Sequence, residues 1–184
     1  MKIWGKSAMA ARETARETAG DSAPAPPPHG RRTILRWFQS TSNRSFVIYP
    51  ICVIAFELLL RGGDLAFVPW GVPLLIWGYL QYRLVGRYRS DTGGGGPGLD
   101  VPPQKIVDEG PFRYVRNPMY LGHLIFMVGL AISFRSLPAV ALLAFHMAWF
   151  HMRVLGDERH LEEIFGAEYT NYKARVKRWI PRIL

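Results

Sequence analysis

The chain has 184 residues, 23 Lys and Arg against 14 Asp and Glu, a formal charge of +9 and 49% hydrophobic residues. That length suits one domain, and a cation excess beside so much apolar sequence fits membrane spans with the basic residues outside them. The single cysteine, Cys52, excludes an intrachain disulfide, and without a basic stripe on a soluble-looking segment no nucleic acid is expected as a partner.

Residues 1–30 pass from the echo Arg-Glu-Thr-Ala-Arg-Glu-Thr (12–18) into Ala-Pro-Ala-Pro-Pro-Pro (23–28). They have no apolar face to bury, so residues 1–40 are read as a disordered cytosolic N-terminus. They lack the apolar core and cleavage site of a signal peptide. Within 31–40, Ile34, Leu35, Trp37 and Phe38 alternate with Arg31, Arg32 and Arg36, a mixture suited to the membrane interface.

Four apolar runs follow: Phe46–Leu60, Phe67–Tyr82, Tyr120–Phe134 and Leu137–Leu155. The first three are short against the ~20 residues of a straight span and must borrow flanking residues. The fourth is long enough alone. The break at Arg135–Pro138 predicts an antiparallel hairpin of the last two runs. Cys52 is read as a small buried side chain, and Glu57, near the outer end of the first run, as an acid snorkelling to the surface. Gly93–Gly96 with Pro97-Gly98 lacks the Lys-Ser/Thr of a phosphate loop and is read as a linker.

The cations set the orientation. With four spans, 21 of the 23 Lys and Arg fall on one side, which puts both termini and the long central loop in the cytoplasm. The expected fold is therefore all-α: a polytopic membrane helix bundle over residues 41–184, with about four transmembrane spans and a C-terminal amphipathic helix over Leu161–Leu184.

Chemistry concentrates in two places that this topology brings to the same face. The first is Gly110-Pro-Phe-Arg-Tyr-Val-Arg-Asn-Pro-Met-Tyr-Leu-Gly122. Asn117 is a favoured N-cap and Pro118 a favoured first helical residue. The amides of Met119, Tyr120 and Leu121, with Arg113 and Arg116 beside them, would suit a carboxylate or phosphate. The second is Arg153, Asp157, Glu158, Arg159 and His160 at the end of the last run, where Arg153 and Asp157 are spaced to pair on one helix face. Acids on one wall and amides on the other suit a zwitterion, and Phe112, Tyr114 and Tyr120 add ring faces for a cation such as a sulfonium. His123, His146 and His151 lie in the spans; 146 and 151 point to different faces, so no metal site is expected. The same residues also suit a well-capped membrane helix and a solvated helix end.

The first block, followed by Asp157-Glu158-Arg-His-Leu161 and by Phe165-Gly166-x-x-Tyr169-x-x-Tyr172-x-x-x-Val176, resembles the isoprenylcysteine carboxyl methyltransferase family and the related phospholipid methyltransferases. The resemblance covers about residues 100–184. It implies an integral membrane enzyme using S-adenosylmethionine in a cytosol-facing pocket, acting on a lipophilic or lipid-modified acceptor. By motif position, cofactor contacts would fall on Gln104, Lys105, Ile106, Val107, Phe112, Asn117, Pro118, Met119, Tyr120, Asp157 and Glu158, and the catalytic residues would be Arg153, at the methyl acceptor, and Glu158. The chain departs from the family where Arg-His-Pro is replaced by Arg116-Asn117-Pro118, and where Glu-Glu is replaced by Asp157-Glu158. A phospholipid or amine N-methyltransferase and a membrane reductase of the sterol type are the alternatives, the latter on a loosely similar Pro-x-Tyr-x-Gly motif.

Overall fold

A computed structural model describes residues 37–95 and 103–180. The chain divides into two units, Met1–Trp37 and Phe38–Leu184. Of the first only Trp37 is described, so the expected disorder and most of the interfacial segment lie outside the described residues, as does much of the glycine-rich linker.

Helix α1, Thr41–Leu60, starts as α-helix, widens to a π-helical stretch at Arg44–Ile48 and resumes at Tyr49. Pro50 explains the widening: it has no N–H for the carbonyl four residues back, and its ring crowds that carbonyl. Tyr49 accordingly donates five residues back, to Arg44. A 3₁₀ turn, Pro69–Gly71, leads into α2, Val72–Gly93, whose second residue is a proline, tolerated in a first turn. Helix α3, Pro118–Phe134, ends at Arg135, which takes the left-handed conformation. Ser136 caps α4, Leu137–Phe165, accepting the Ala139 amide on its hydroxyl. Gly166, at φ 56°, breaks that helix before the short α5, Ala167–Arg175. All regular structure among the described residues is helical apart from one parallel bridge, Val115 to Lys177.

Two helices, α1 and α4, are long and apolar enough to cross a membrane, and only 17% and 22% of their most apolar windows are buried. The core helix of a soluble protein would be mostly covered. Here Ile51, Leu59, Leu60, Phe145 and Met152 stand exposed, an apolar surface that needs a lipid environment. Helix α3 is apolar but 17 residues long. The run expected at Phe67–Tyr82 begins later, at Val72, and its helix continues through Arg83, Arg87 and Arg89 to Gly93.

Helices α2 and α3 pack backbone against backbone. Gly71 and Gly78 of one chain segment face Gly122 and Gly129 of the other, each pair seven residues apart. A Cβ on Gly78 would lie 2.5 Å from the Phe126 nitrogen and 2.6 Å from the Gly122 carbonyl; one on Gly129 would lie 2.7 Å from the Leu75 nitrogen. Small residues allow this approach where lipid supplies no hydrophobic drive. Gln81 adds a hydrogen bond to the Pro118 carbonyl at 2.9 Å, at the head of the seam.

Two expectations about α1 are corrected. Cys52 is exposed on the helix surface. Glu57 does not snorkel: it is 3% exposed, accepts from Arg61 at 2.9 Å and takes the Ser136 hydroxyl at the α3–α4 turn. A buried acid needs such partners, and the tight turn brings one to it.

Candidate functional site

The segment before α3 is pinned at both ends. The amides of Gln104 and Lys105 both donate to the Gly93 carbonyl, at 2.8 and 3.1 Å, closing the loop on the end of α2. The 3₁₀ turn Gly110–Arg113 then buries Phe112 beside Val85, Val107 and Met119. From Tyr114 the chain runs alongside the C-terminal tail, with the Arg116 amide donating to the Lys177 carbonyl at 2.9 Å.

Arg116 ties three segments together. Its side chain, 8% exposed, reaches Glu158 of α4 at 3.0 Å and donates to the carbonyls of Lys173 and Val176 at 2.8 Å each. Glu158 also receives Arg178 through both oxygens, at 3.1 and 2.8 Å. At 29 residues α4 is about 43 Å long, more than the ~30 Å of a hydrocarbon core, and Glu158 sits in its last third. There, burial works to raise the Glu158 carboxyl, but the Arg178 hydrogen bonds and the Arg116 charge outweigh it and hold it below the usual carboxylate range.

Tyr120 and Asp157 form a second link between the corner and the acidic tip, the phenol donating to the carboxylate at 2.7 Å. Below them Arg153 donates to the Thr41 hydroxyl of α1 at 3.2 Å. On the far wall α5 turns Tyr169 and Tyr172 inward, and Tyr172 donates to the Phe112 carbonyl at 2.8 Å. Burial pushes both phenols up, so they stay neutral donors.

These walls enclose a cavity of about 370 Å³, within the ~300–1,000 Å³ of small-molecule sites. Its lining is mixed. Ile106, Val107, Phe112, Leu161 and Phe165 are apolar, Tyr120, Tyr169 and Tyr172 are amphipathic, and Arg89, Arg153, Asp157 and His160 carry or can carry charge.

The sequence model of the phospholipid methyltransferase family matches residues 66–168, more than half of the chain and inclusive of both the corner and the acidic tip. The chain belongs to that family. It is similar to protein-S-isoprenylcysteine O-methyltransferase B of Arabidopsis thaliana, 32% identical over 78 residues, which is 42% of this chain and 40% of that one. It is also similar to protein-S-isoprenylcysteine O-methyltransferase of Schizosaccharomyces pombe, 29% identical over 79 residues (42% and 34% of the two chains). A third relative is the nickel-cobalt-cadmium resistance protein NccN of Alcaligenes xylosoxydans xylosoxydans, 29% identical over 79 residues (43% and 37%). The match spans about two fifths of the length of the curated relatives.

Within this family member the cavity gathers most of the expected residues: Ile106, Val107, Phe112, Asn117, Pro118, Met119, Tyr120, Arg153, Asp157 and Glu158 all line it. Gln104 and Lys105 do not. They are exposed, and their amides hold the end of α2 instead. Arg113 and Tyr114 are exposed residues of the turn and do not line the cavity; Tyr169 and Tyr172 join Phe112 and Tyr120 in supplying its ring faces.

Two side chains, one backbone amide and the tail behave differently from expectation. Asn117 occupies the N-cap position without a side-chain cap, its amide donating to the Arg178 carbonyl at 3.5 Å. Of the three amides expected to face the loop, that of Leu121 already closes the first turn on the Asn117 carbonyl. Glu158, expected to act in catalysis or hold the cofactor, has both oxygens occupied by arginines and is a clamp for the tail. The tail itself is not one helix from Leu161: α4 absorbs its start and Gly166 divides the rest. Arg89 was not foreseen, because the polar end of α2 reads as loop and carries no local sign that it returns to the corner.

Proposed function

We propose that this chain is an S-adenosylmethionine-dependent methyltransferase acting at the cytosolic membrane face on a lipophilic acceptor. The observation that carries the reading is the single cavity shared by the Asn117–Tyr120 corner and the Asp157–Glu158 tip. The one-sided distribution of Lys and Arg supports four spans, α1 to α4, with α2 and α3 completed by their flanks, and both termini in the cytoplasm.

The lining fits such a cofactor. Tyr120, Phe112, Tyr169 and Tyr172 offer ring faces to a sulfonium. The Asp157 carboxylate would accept from an ammonium, with the Tyr120 phenol holding it in place. Arg89 on the facing wall suits a carboxylate, and Ile106, Val107, Leu161 and Phe165 suit a purine ring. Bound there, S-adenosylmethionine would supply an electrophilic methyl group. The protein's own contribution is alignment and exclusion of water, with Arg153 orienting an acceptor carboxylate through a bidentate contact.

A carboxylate acceptor needs no general base, and an amine needs only to shed a proton. Neither requires the base that a thiol would. His123, the histidine nearest the corner in sequence, is fully buried among Phe46, Tyr82 and Phe150. That leaves His160, on the cavity lining, as the one histidine among the described residues placed to act as a base; a carboxylate is in keeping with the O-methyltransferase names of the relatives, and an amine with the family's name.

The test is calorimetric titration of the purified full chain with S-adenosylmethionine. Wild type is expected to bind, and Asp157→Asn and Asn117→Ala, with melting temperatures retained, to bind at least tenfold more weakly. Wild-type protein that is folded and does not bind would overturn the reading. Mass spectrometry of membrane extracts incubated with methyl-labelled cofactor then identifies the acceptor.

A further inference from the structure

Helix α2 has two opposite faces. The one turned to α3 carries Gly78, Gln81 and Val85, and Arg89 continues it onto the cavity wall. The other is covered by nothing among the described residues: Ile76, Trp77, Leu80, Arg83, Leu84 and Arg87 are all exposed, at the three- and four-residue spacings of a single helical stripe. The stripe is apolar from Ile76 to Leu80 and cationic at Arg83 and Arg87, with Leu84 between the two arginines.

Arg83 and Arg87 stand one turn apart, about 6 Å along the axis, so both guanidiniums can reach one phosphate. Like charges at this spacing repel, and among the described residues neither arginine forms an ion pair. The next acid on the stripe, Asp91, lies a further turn on, near the end of the helix, and is itself exposed. Depth points to the partner. Gln81 bonds the Pro118 carbonyl at the head of α3, which sets Arg83 and Arg87 about 3 and 9 Å past the start of that helix. The apolar part of α2, residues 72–82, is only about 16 Å long against the ~30 Å of a hydrocarbon core. A span that short is met by thinning of the bilayer and by snorkelling of the flanking side chains, and both bring lipid phosphates to the two arginines. A soluble anion would use the charges and leave the apolar residues beneath them bare; a phospholipid uses both.

We propose that Arg83 and Arg87 clamp the phosphate of one anionic phospholipid, whose acyl chains lie along Leu84, Leu80 and Ile76 on the back of α2. Guanidiniums hold phosphate oxygens through paired N–H bonds, and two cations against the single Asp91 select an anionic head over a zwitterionic one. The clamp rests on the four-span reading for the place of α2 in the bilayer, and not on methyl transfer.

The test is native mass spectrometry of the full chain released from maltoside micelles that hold equal amounts of phosphatidylglycerol and phosphatidylcholine with the same acyl chains. Wild type is expected to retain one phosphatidylglycerol at least roughly fivefold more often than one phosphatidylcholine, the effect of about one arginine beside an anionic lipid. Arg83→Gln and Arg87→Gln are each expected to lose part of that preference and the double variant all of it, with melting temperatures retained. Arg159→Gln, which removes an exposed arginine of α4, is the control and is expected to keep it. Equal retention of the two lipids by wild type, or a preference that survives in the double variant, would overturn the clamp, as would an equal loss in Arg159→Gln. The wild-type comparison decides it even where a variant does not fold. Labelling of Asp64→Cys and Tyr114→Cys from the same side of the membrane would remove the four-span reading and the clamp with it; labelling from opposite sides without a lipid preference would remove the clamp alone.

Discussion

The Tyr120 hydroxyl donates to the Asp157 carboxylate at 2.7 Å, joining the first turn of α3 to the last turns of α4. Two stretches 37 residues apart in sequence are held as one wall by that bond. Tyr120→Phe keeps the ring and removes the donor. The expected result is a roughly 10- to 150-fold loss in S-adenosylmethionine affinity, the effect of about 1.5–3 kcal/mol for a bond to a charged group. Titration of the variant beside Asp157→Asn checks it: if both residues act through this bond, the double variant is no weaker than Asp157→Asn alone.

The Arg116–Glu158–Arg178 clamp makes a prediction about the tail. Glu158→Gln leaves two guanidiniums without their counter-charge, which costs roughly 3 kcal/mol, at the low end for a broken buried pair because Arg178 is about a quarter exposed. Limited trypsin digestion is the readout, with cleavage after Lys177 and Arg178 expected to become fast in the variant and slow in wild type.

The same clamp sets a pH dependence. The Glu158 carboxyl is held below its ordinary value, so its contribution is complete above the unfolded value of ~4.3. It is lost as pH falls from there through the lower folded value. Hydrogen exchange of the Val176–Trp179 amides, referred to an unstructured peptide, is expected to show constant protection from pH 7 to about 5 and falling protection below ~4. In Glu158→Gln that acid step should be absent.

The α2–α3 seam is tested by adding single methyl groups. Gly78→Ala and Gly122→Ala set a Cβ against backbone atoms, at 2.5 and 2.8 Å at the nearest. Overpacking of this kind costs about 1–3 kcal/mol, and because backbone cannot rotate aside, values toward the upper end are expected, read as a lower melting temperature in detergent. Gly156→Ala is the control, since nothing lies within 4 Å of its added methyl; in mid-helix it should be neutral or stabilising by about 0.5–1 kcal/mol.

Orientation is accessible through cysteine labelling in a Cys52→Ser background. Asp64→Cys, in the exposed loop after α1, is expected to react with a membrane-impermeant maleimide only from the outside. Tyr114→Cys, exposed near the corner, is expected to react only from the cytosolic side. Reaction of both from the same side would refute the four-span arrangement.

The corner at Asn117-Pro118 and the break at Ser136 were legible because helix ends are written in local grammar, by residues that need no distant partner. What the side chains do there was not. Asn117 has a standard capping identity, yet its amide goes to the tail, and Glu158 looks like a catalytic acid until two arginines from remote positions occupy it. Such pairings depend on three segments meeting, and no spacing within one segment encodes them. The extent of α2 was missed for a related reason: Arg87 to Asp91 are polar, and helical residues beyond the apolar run look like loop when hydropathy is the guide. The glycines at 71, 78, 122 and 129 do carry a seven-residue rhythm, but it becomes meaningful only when the two segments are set side by side.

That rhythm bears on how a lipid tail could enter. Where α2 and α3 touch there are no side chains to rotate, so the pair behaves as a riveted plank. Any side door from the bilayer would have to be hung on the outer helices, α1 and α4, whose mutual contacts include the Tyr49 ring on His146 and the Arg44 guanidinium over Trp149, side chains that can rotate. Where its smallest residues are not is where an opening edge would have to lie.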